Sequence, residues 1–230
     1  MEDIGITGSF INASAIVVGG AVGLMLRGRI TDRFSQSIIR VLGLCVFVIG
    51  MRSAVNGNSM LMIISLSLGV LTGEALRIDD ALNRFGGWVQ SKVTRDGSSS
   101  FAEGFITTTL LYCVGAMAIV GSIESGLTGD RGILLTKTIL DGVSSVVFAS
   151  SMGIGVLFSA AVVLVYQGSI EFFAGYLQNV FTQALITQIS AVGGVMMLAL
   201  GLNLAMSAGF KVANLLPGFV FAVMYYYIFL

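Results

Sequence analysis

The chain contains no histidine, one proline, one tryptophan and two cysteines in 230 residues. Without imidazole it cannot build a His-ligated haem, a His-bearing metal site or His-based acid–base catalysis. Charge is the second scarcity. Only 10% of the residues are Asp, Glu, Lys or Arg, against roughly 25% in an ordinary soluble domain. The twelve basic and twelve acidic side chains cancel to zero net charge, and no basic patch stands ready for a nucleic acid. What fills the chain is apolar: 56% of the residues are hydrophobic, and the mean hydropathy is +0.95. A soluble fold of 24.1 kDa has too little interior to hide that much apolar surface. A soluble enzyme, a nucleic-acid binder and a disordered chain are excluded, which leaves an all-α polytopic membrane protein.

Cys45 and Cys113 each lie inside an apolar run, which fits reduced, buried thiols better than a disulfide. The acidic start Met1-Glu2-Asp3 lacks the positive region of a signal peptide, so the first apolar run is expected to persist as a spanning helix. A bilayer core about 30 Å thick needs about 20 apolar residues in a helix. Eight runs qualify, at 10–26, 37–55, 59–77, 103–122, 132–150, 153–175, 188–206 and 211–229. The fifth and sixth are separated only by the uncharged stretch Ser150-Ser151-Met152-Gly153-Ile154-Gly155. They form either a tight hairpin or one element broken at Gly153, in which case the spans number seven. All eight belong to a single transmembrane domain over 1–230.

Basic residues set the orientation. With eight spans, Arg27, Arg29, Arg33, Arg40, Arg77, Arg84, Lys92, Arg95 and Lys211 fall on one side, and Arg52 and Arg131 on the other. The richer side is read as cytoplasmic, with both termini outside. On the cytoplasmic side, residues 78–102 read as an interfacial helix and linker. Leu82, Phe85 and Val89 recur at helical spacing beside Trp88, suiting the headgroup region of the lipid bilayer.

Two segments resemble each other at a separation of 151 residues. Gly43 and Gly50 in the second span match Gly194 and Gly201 in the seventh, with hydrophobic residues in register. The charge pattern runs these spans in opposite directions, so the pair reads as an inverted-topology repeat. Such repeats build many secondary transporters, whose binding sites lie near the bilayer midplane.

Charge inside a membrane needs a reason, because insertion costs at least about 2.5–3.5 kcal/mol per residue. Lys137 and Asp141 lie four apart in the fifth span, hence on one helix face, with Ser144, Ser145 and Thr138 close by. They read as a pair lining an ion or solute path, with Asp141 as a group able to couple transport to protons, or as an ion pair that only pins helices. Before that span, Thr128 or Asp130 can cap the helix, and its N-terminus can attract an anion. Asn12 opens the first span as a buried amide in need of a partner or as an interfacial cap. The Gly-x-x-x-Gly pairs at 19/23 and 69/73 read as packing faces, with a dimer interface as one use. Pro217, just after Asn214, breaks the last span and frees backbone carbonyls, making both residues candidates for the path. Glu74 and Glu171, near span ends, are expected to reach the lipid–water interface. No metal-ligand spacing, nucleophile elbow or phosphate loop appears, so neither enzyme activity nor a metal or other cofactor is expected.

Ile11-Asn12-Ala13-Ser14-Ala15 with Gly19-Gly20, Gly126-Leu127-Thr128-Gly129-Asp130, Lys137 with Leu140-Asp141, Ser190-Ala191-Val192-Gly193-Gly194 and Val212-Ala213-Asn214-Leu215-Leu216-Pro217 together resemble the YqgA/YdfK family of bacterial inner-membrane proteins. The resemblance spans essentially the whole chain. It implies a helical fold of several spans in the bacterial cytoplasmic membrane, and, the family being one of unknown function, it carries over no substrate and no catalytic residues. The expected protein is a small secondary transporter of an ion or small solute, working as a homodimer. Its path would be lined by Lys137, Asp141, Asn12, Asn214, Ser144, Thr128 and Asp130. A channel and a non-transporting scaffold that docks partners on 77–103 are the alternative readings.

Overall fold

A computed structural model describes residues 6–27, 32–93, 100–113 and 116–230. All regular structure among them is helical. Hydrocarbon offers no water to backbone N–H and C=O groups, so a spanning chain must pair them within itself. The helices are α1 (Thr7–Leu26), α2 (Asp32–Ala54), α3 (Ser59–Leu76), α4 (Ile78–Val93), α5 (Ser100–Cys113), α6 (Ala116–Thr128), α7 (Gly132–Met152), α8 (Gly155–Phe172), α9 (Ala174–Leu177), α10 (Gln183–Met206) and α11 (Gly218–Phe229), with a 3₁₀ turn at Val212–Leu215.

Among the described residues α1, α3, α7, α8, α10 and the stretch Val212–Phe229 are long and apolar enough to cross a bilayer. A seventh span results if α5 and α6, bent by 58° to one another, are counted as one. The protein is therefore a multi-pass membrane protein. Its exposed surface agrees with that: Ile63, Ile139, Val143 and Val165 are each more than 60% exposed. In water such a surface would aggregate, whereas lipid tails solvate it.

One expectation about continuity changes, and one pair of alternatives is decided. The run 103–122, expected as an unbroken span, is divided between α5 and α6. The fifth and sixth spans take the hairpin reading rather than the broken one: they are two full-length helices joined by Gly153 and Ile154. Gly153 ends α7 at φ +85°, and its amide still donates to the Ala149 carbonyl at 3.0 Å. That left-handed backbone suits glycine, and a Cβ at this position would overlap the Arg27 guanidinium.

The helices gather into two compact units. The first comprises residues 1–38 and 90–182, the second 39–89 and 183–230. In the first, α1 packs against both α7 and α8, α5 against α8, and α6 against α7 and α8. The stripe at Gly19 and Gly23 makes the α1–α7 approach possible: a Cβ there would overlap the carbonyl oxygens of Gly142 and Val146.

In the second unit α3 packs on α11 and on the 3₁₀ turn. A Cβ on Gly69 would come within 2.7 Å of the Gly218 amide, and one on Gly73 would overlap the Asn214 carbonyl. Both small-residue stripes are thus used inside the chain. α2 and α10 meet through four glycines: Gly43 faces Gly201 and Gly50 faces Gly194. Asn58 caps α3, its Oδ1 accepting from the Met60 and Leu61 amides at 2.9 and 3.1 Å, a regular use of Asn at a helix start.

The break at Pro217 is present and sits where proline costs least. It directly precedes α11 with φ −59°, a first-turn position whose N–H has no helical partner to lose. α4 is helical over 78–93 as expected, and the side chains of Phe85 and Val89 lie outside the described residues, as do residues 94–99. Burial raises the Asp79 carboxyl at the start of α4 above its ordinary pKa, with Lys211 pulling the other way. Both cysteines are free, and Cys45 is exposed rather than buried.

Gly19→Val should push α1 off α7 and lower stability by about 1–3 kcal/mol, the usual cost of overpacking. Gly175→Ala, with nothing within 4 Å of the new Cβ, should leave it unchanged. The midpoint of unfolding in mixed detergent micelles reads the difference.

A buried polar site in the first unit

Four helices of the first unit bring polar side chains into an otherwise apolar interior. α7 contributes Lys137 and Asp141, 7% and 6% exposed. Their four-residue spacing lets Lys137 Nζ donate to Asp141 Oδ2 along one helix face. α1 contributes Asn12, whose Nδ2 donates to Asp141 Oδ2 and to Gln167 Oε1 of α8, each at 3.0 Å. α5 contributes Tyr112, whose ring lies 5.8 Å from Lys137 Nζ and whose hydroxyl is 2.8 Å from Ser145 Oγ. Ser144 and Ser145 donate to the Asp141 carbonyl at 3.0 and 2.7 Å, and Ser144 also reaches the Tyr112 hydroxyl at 3.3 Å. Asn12, Gln167, Tyr112 and Ser145 are wholly buried.

Moving a carboxylate and an ammonium out of water carries a penalty of several kcal/mol per ion, and mutual attraction offsets it only with further hydrogen bonds. Asn12 supplies one of these to the Asp141 carboxylate. The amide pair itself remains half used: Asn12 Oδ1 and Gln167 Nε2 are buried and have no partner in the protein. Tyr112 arrives from the end of α5, one residue before the helix stops at Cys113. The charged pair therefore sits beside the break between α5 and α6.

One turn beyond Gln167, Glu171 forms a second buried cluster. Expected at the lipid–water interface, it is 2% exposed. The reason is the start of α1. Ile6 offers no side-chain cap there, and Glu171 replaces it, accepting from the Gly8 and Ser9 amides at 3.1 and 3.0 Å, from Ser9 Oγ at 2.6 Å and from Ser125 Oγ. A carboxylate at a helix N-terminus also meets the positive end of the helix dipole. Glu74, by contrast, does lie exposed at its helix end, 3.6 Å from Lys211.

The remaining candidates fall elsewhere. Thr128 and Asp130 are exposed and serve the α6–α7 turn: Thr128 Oγ1 accepts from the Asp130 amide at 3.2 Å, and Asp130 Oδ1 from the Gly132 amide at 2.9 Å. Asn214 belongs to the second unit, where its Oδ1 accepts from the Asp79 amide at 2.7 Å and holds the start of α4. Pro217 lies in that unit too, and Gly153 serves the α7–α8 turn. Asn12 stands in the second turn of α1 rather than at its opening. The structure thus gathers Asn12, Lys137, Asp141, Ser144 and Ser145, and adds Gln167 and Tyr112, which sequence reading missed. Gln167 and Glu171 repeat the four-residue polar spacing of Lys137 and Asp141, and that spacing was the available signal. Among the described residues no group of three His, Cys, Asp or Glu side chains is placed to hold a metal ion.

Glu171→Ala should cost about 1–3 kcal/mol through the amides left without an acceptor, and Glu171→Gln less, because one oxygen still accepts. Amide hydrogen exchange at Gly8 and Ser9, accelerated in that order of severity, checks the capping role directly.

A family described as a protein of unknown function, DUF554, matches residues 7–227. The uncharacterized membrane protein YdfK of Bacillus subtilis is 32% identical over 215 residues, 91% of either chain. The uncharacterized protein YqgA of Escherichia coli is 30% identical over 223 residues, 95% of either chain. No solved structure matches the chain.

Proposed function

The chain belongs to the DUF554 family of unknown function, and we propose that it is a small secondary transporter, moving an ion or small solute across the bacterial cytoplasmic membrane. The observation that carries this reading is the Lys137–Asp141 pair, held by Asn12 and Tyr112 inside a bundle of apolar helices beside the break between α5 and α6. Intramembrane charge is expensive and marks substrate or ion routes. Discontinuous helices recur at the sites of transporters. In this reading Lys137 and Asp141 line the path, Asn12 and Ser144 supply polar contacts, and the Asp141 carboxylate is the group through which a proton gradient couples. Thr128, Asp130 and Asn214, given their local capping and turn roles, act at most on the helix ends. The protein is a transporter rather than an enzyme, with its N-terminus outside by the distribution of basic residues.

The inverted repeat supports the same reading. A shift of 151 residues carries Thr7–Leu26, Asp32–Ala54 and Ser59–Leu76 onto 158–177, 183–205 and 210–227. The helices found there are α8 with α9 over 155–177, α10 over 183–206, and the 3₁₀ turn with α11 over 212–229. The glycine contacts have the reciprocity of a two-fold relation. Gly43 faces the equivalent of Gly50, namely Gly201, and Gly50 faces the equivalent of Gly43, namely Gly194. Because rising numbers in α2 meet falling numbers in α10, the two copies run antiparallel, as an inverted repeat requires. The homodimer remains part of the proposal, formed through a face other than the two glycine stripes.

In vesicles of purified protein loaded with a pH-sensitive dye, Asp141→Asn should abolish proton flux driven by an imposed gradient while the protein stays folded. The double variant Lys137→Met, Asp141→Leu should regain much of the roughly 3–5 kcal/mol that breaking a buried pair costs, yet remain inactive. Unchanged flux in Asp141→Asn would remove the assigned role, and flux that never runs uphill would make the protein a channel.

A further inference from the structure

We infer that Asn12 and Gln167 read a small uncharged molecule that carries both a hydrogen-bond donor and an acceptor. This deepens the transport reading and rests on it for the sense of the path. The orientation of both amides is fixed by chemistry. An ionised carboxylate only accepts hydrogen bonds, so Asn12 must turn its NH₂ group to Asp141 Oδ2. The same Nδ2 atom bonds Gln167, so Gln167 must turn its carbonyl to Asn12. What remains is determined: an acceptor, Asn12 Oδ1, and a donor, Gln167 Nε2. Both belong to wholly buried residues and have no partner in the protein. Buried polar atoms of folded proteins are paired in the large majority of cases, with protein or with a bound molecule.

The two atoms state what that molecule must be. It donates to Asn12 Oδ1 and accepts from Gln167 Nε2. A metal cation would be drawn to the oxygen and repelled by the N–H, and a halide the reverse. The field of the site agrees, because Lys137 and Asp141 cancel one another and a bare ion would add an uncompensated charge to a low-dielectric interior. A hydroxyl compound, a carboxamide or a urea-like solute has the required pair of groups, and so does water.

The test is an experimental structure of the full chain in lipid at a resolution that shows ordered water, with crystals soaked in rubidium bromide and, separately, in acetamide. Density within about 3.2 Å of both Asn12 Oδ1 and Gln167 Nε2 is expected, without anomalous signal from rubidium or bromide. A single-atom peak that acetamide leaves unchanged identifies water. A peak that acetamide enlarges identifies a solute site, and either supports the inference. Gln167→Met, close in volume, should lose this density while the Asn12–Asp141 bond persists. An anomalous peak at that position, the absence of density, or the two amide atoms bonded to other protein groups would overturn it. These outcomes are independent of flux: an ion at the amides with Asp141-dependent transport sinks only this inference, and a neutral guest without such transport sinks only the transporter reading.

Discussion

A carboxylate buried inside a bundle of apolar helices must be answered by the protein, since burial takes water away from it. Much of the first unit follows from two such carboxylates. Asp141 is met by an ammonium on its own helix and an amide from α1. Glu171 is met by two backbone amides and two hydroxyls. The two solutions share one seam. On α1 the partners are Gly8 and Ser9, then Asn12; on α8 they are Glu171, then Gln167. Numbers rising on one helix meet numbers falling on the other, so α1 and α8 lie antiparallel with their polar groups one turn apart. One contact fastens the helix end, and the next reaches the charged pair.

Short polar side chains work at this depth only if the backbones are close. An Asn side chain spans few bonds, and Asn12 reaches Asp141 because α1 lies against α7 along Gly19 and Gly23. Interhelical hydrogen bonds in membranes are worth only about 0.6 kcal/mol on average, so they do not hold the helices together alone. Close packing of small residues places the helices, and the polar groups then select one register among the many that such packing allows. The glycine stripes and the polar site are therefore two parts of one device, although they occupy different turns.

This division explains what could be read from the chain beforehand. Helical class and most spans follow from the length of apolar runs, a one-dimensional property. The Lys137–Asp141 pair was equally legible, because both partners lie on one helix and their spacing alone places them together. The burial of Glu171 was missed because its place was judged from its distance to a span end, whereas its partners on α1, Gly8 and Ser9, lie more than 160 residues away at the other end of the chain. Gln167 and Tyr112 share that difficulty: periodicity shows which residues share a face but not which helix that face meets. The bend between α5 and α6 had no proline to announce it, and the one proline marks a helix start instead.

On the proposed repeat, the site also has a history written in its symmetry. With a shift of 151, Asn12 corresponds to Val163 and Ile16 to Gln167. The polar contact Asn12–Gln167 therefore has a symmetry mate, Val163 with Ile16, and those two fully buried residues share one hydrophobic cluster. The single crossing of α1 with α8 thus holds two equivalent contacts, one greasy and one hydrogen-bonded. Glu171 corresponds to Gly20, so the helix-capping carboxylate has no acidic counterpart either. An inverted repeat supplies matched scaffolding on both sides of its axis, but a site for one molecule needs only one polar lining. Keeping the mate apolar retains the packing that positions the helices, while a buried amide there would need a partner of its own. The asymmetry is what separates the residues that form the site from those that only hold it in place.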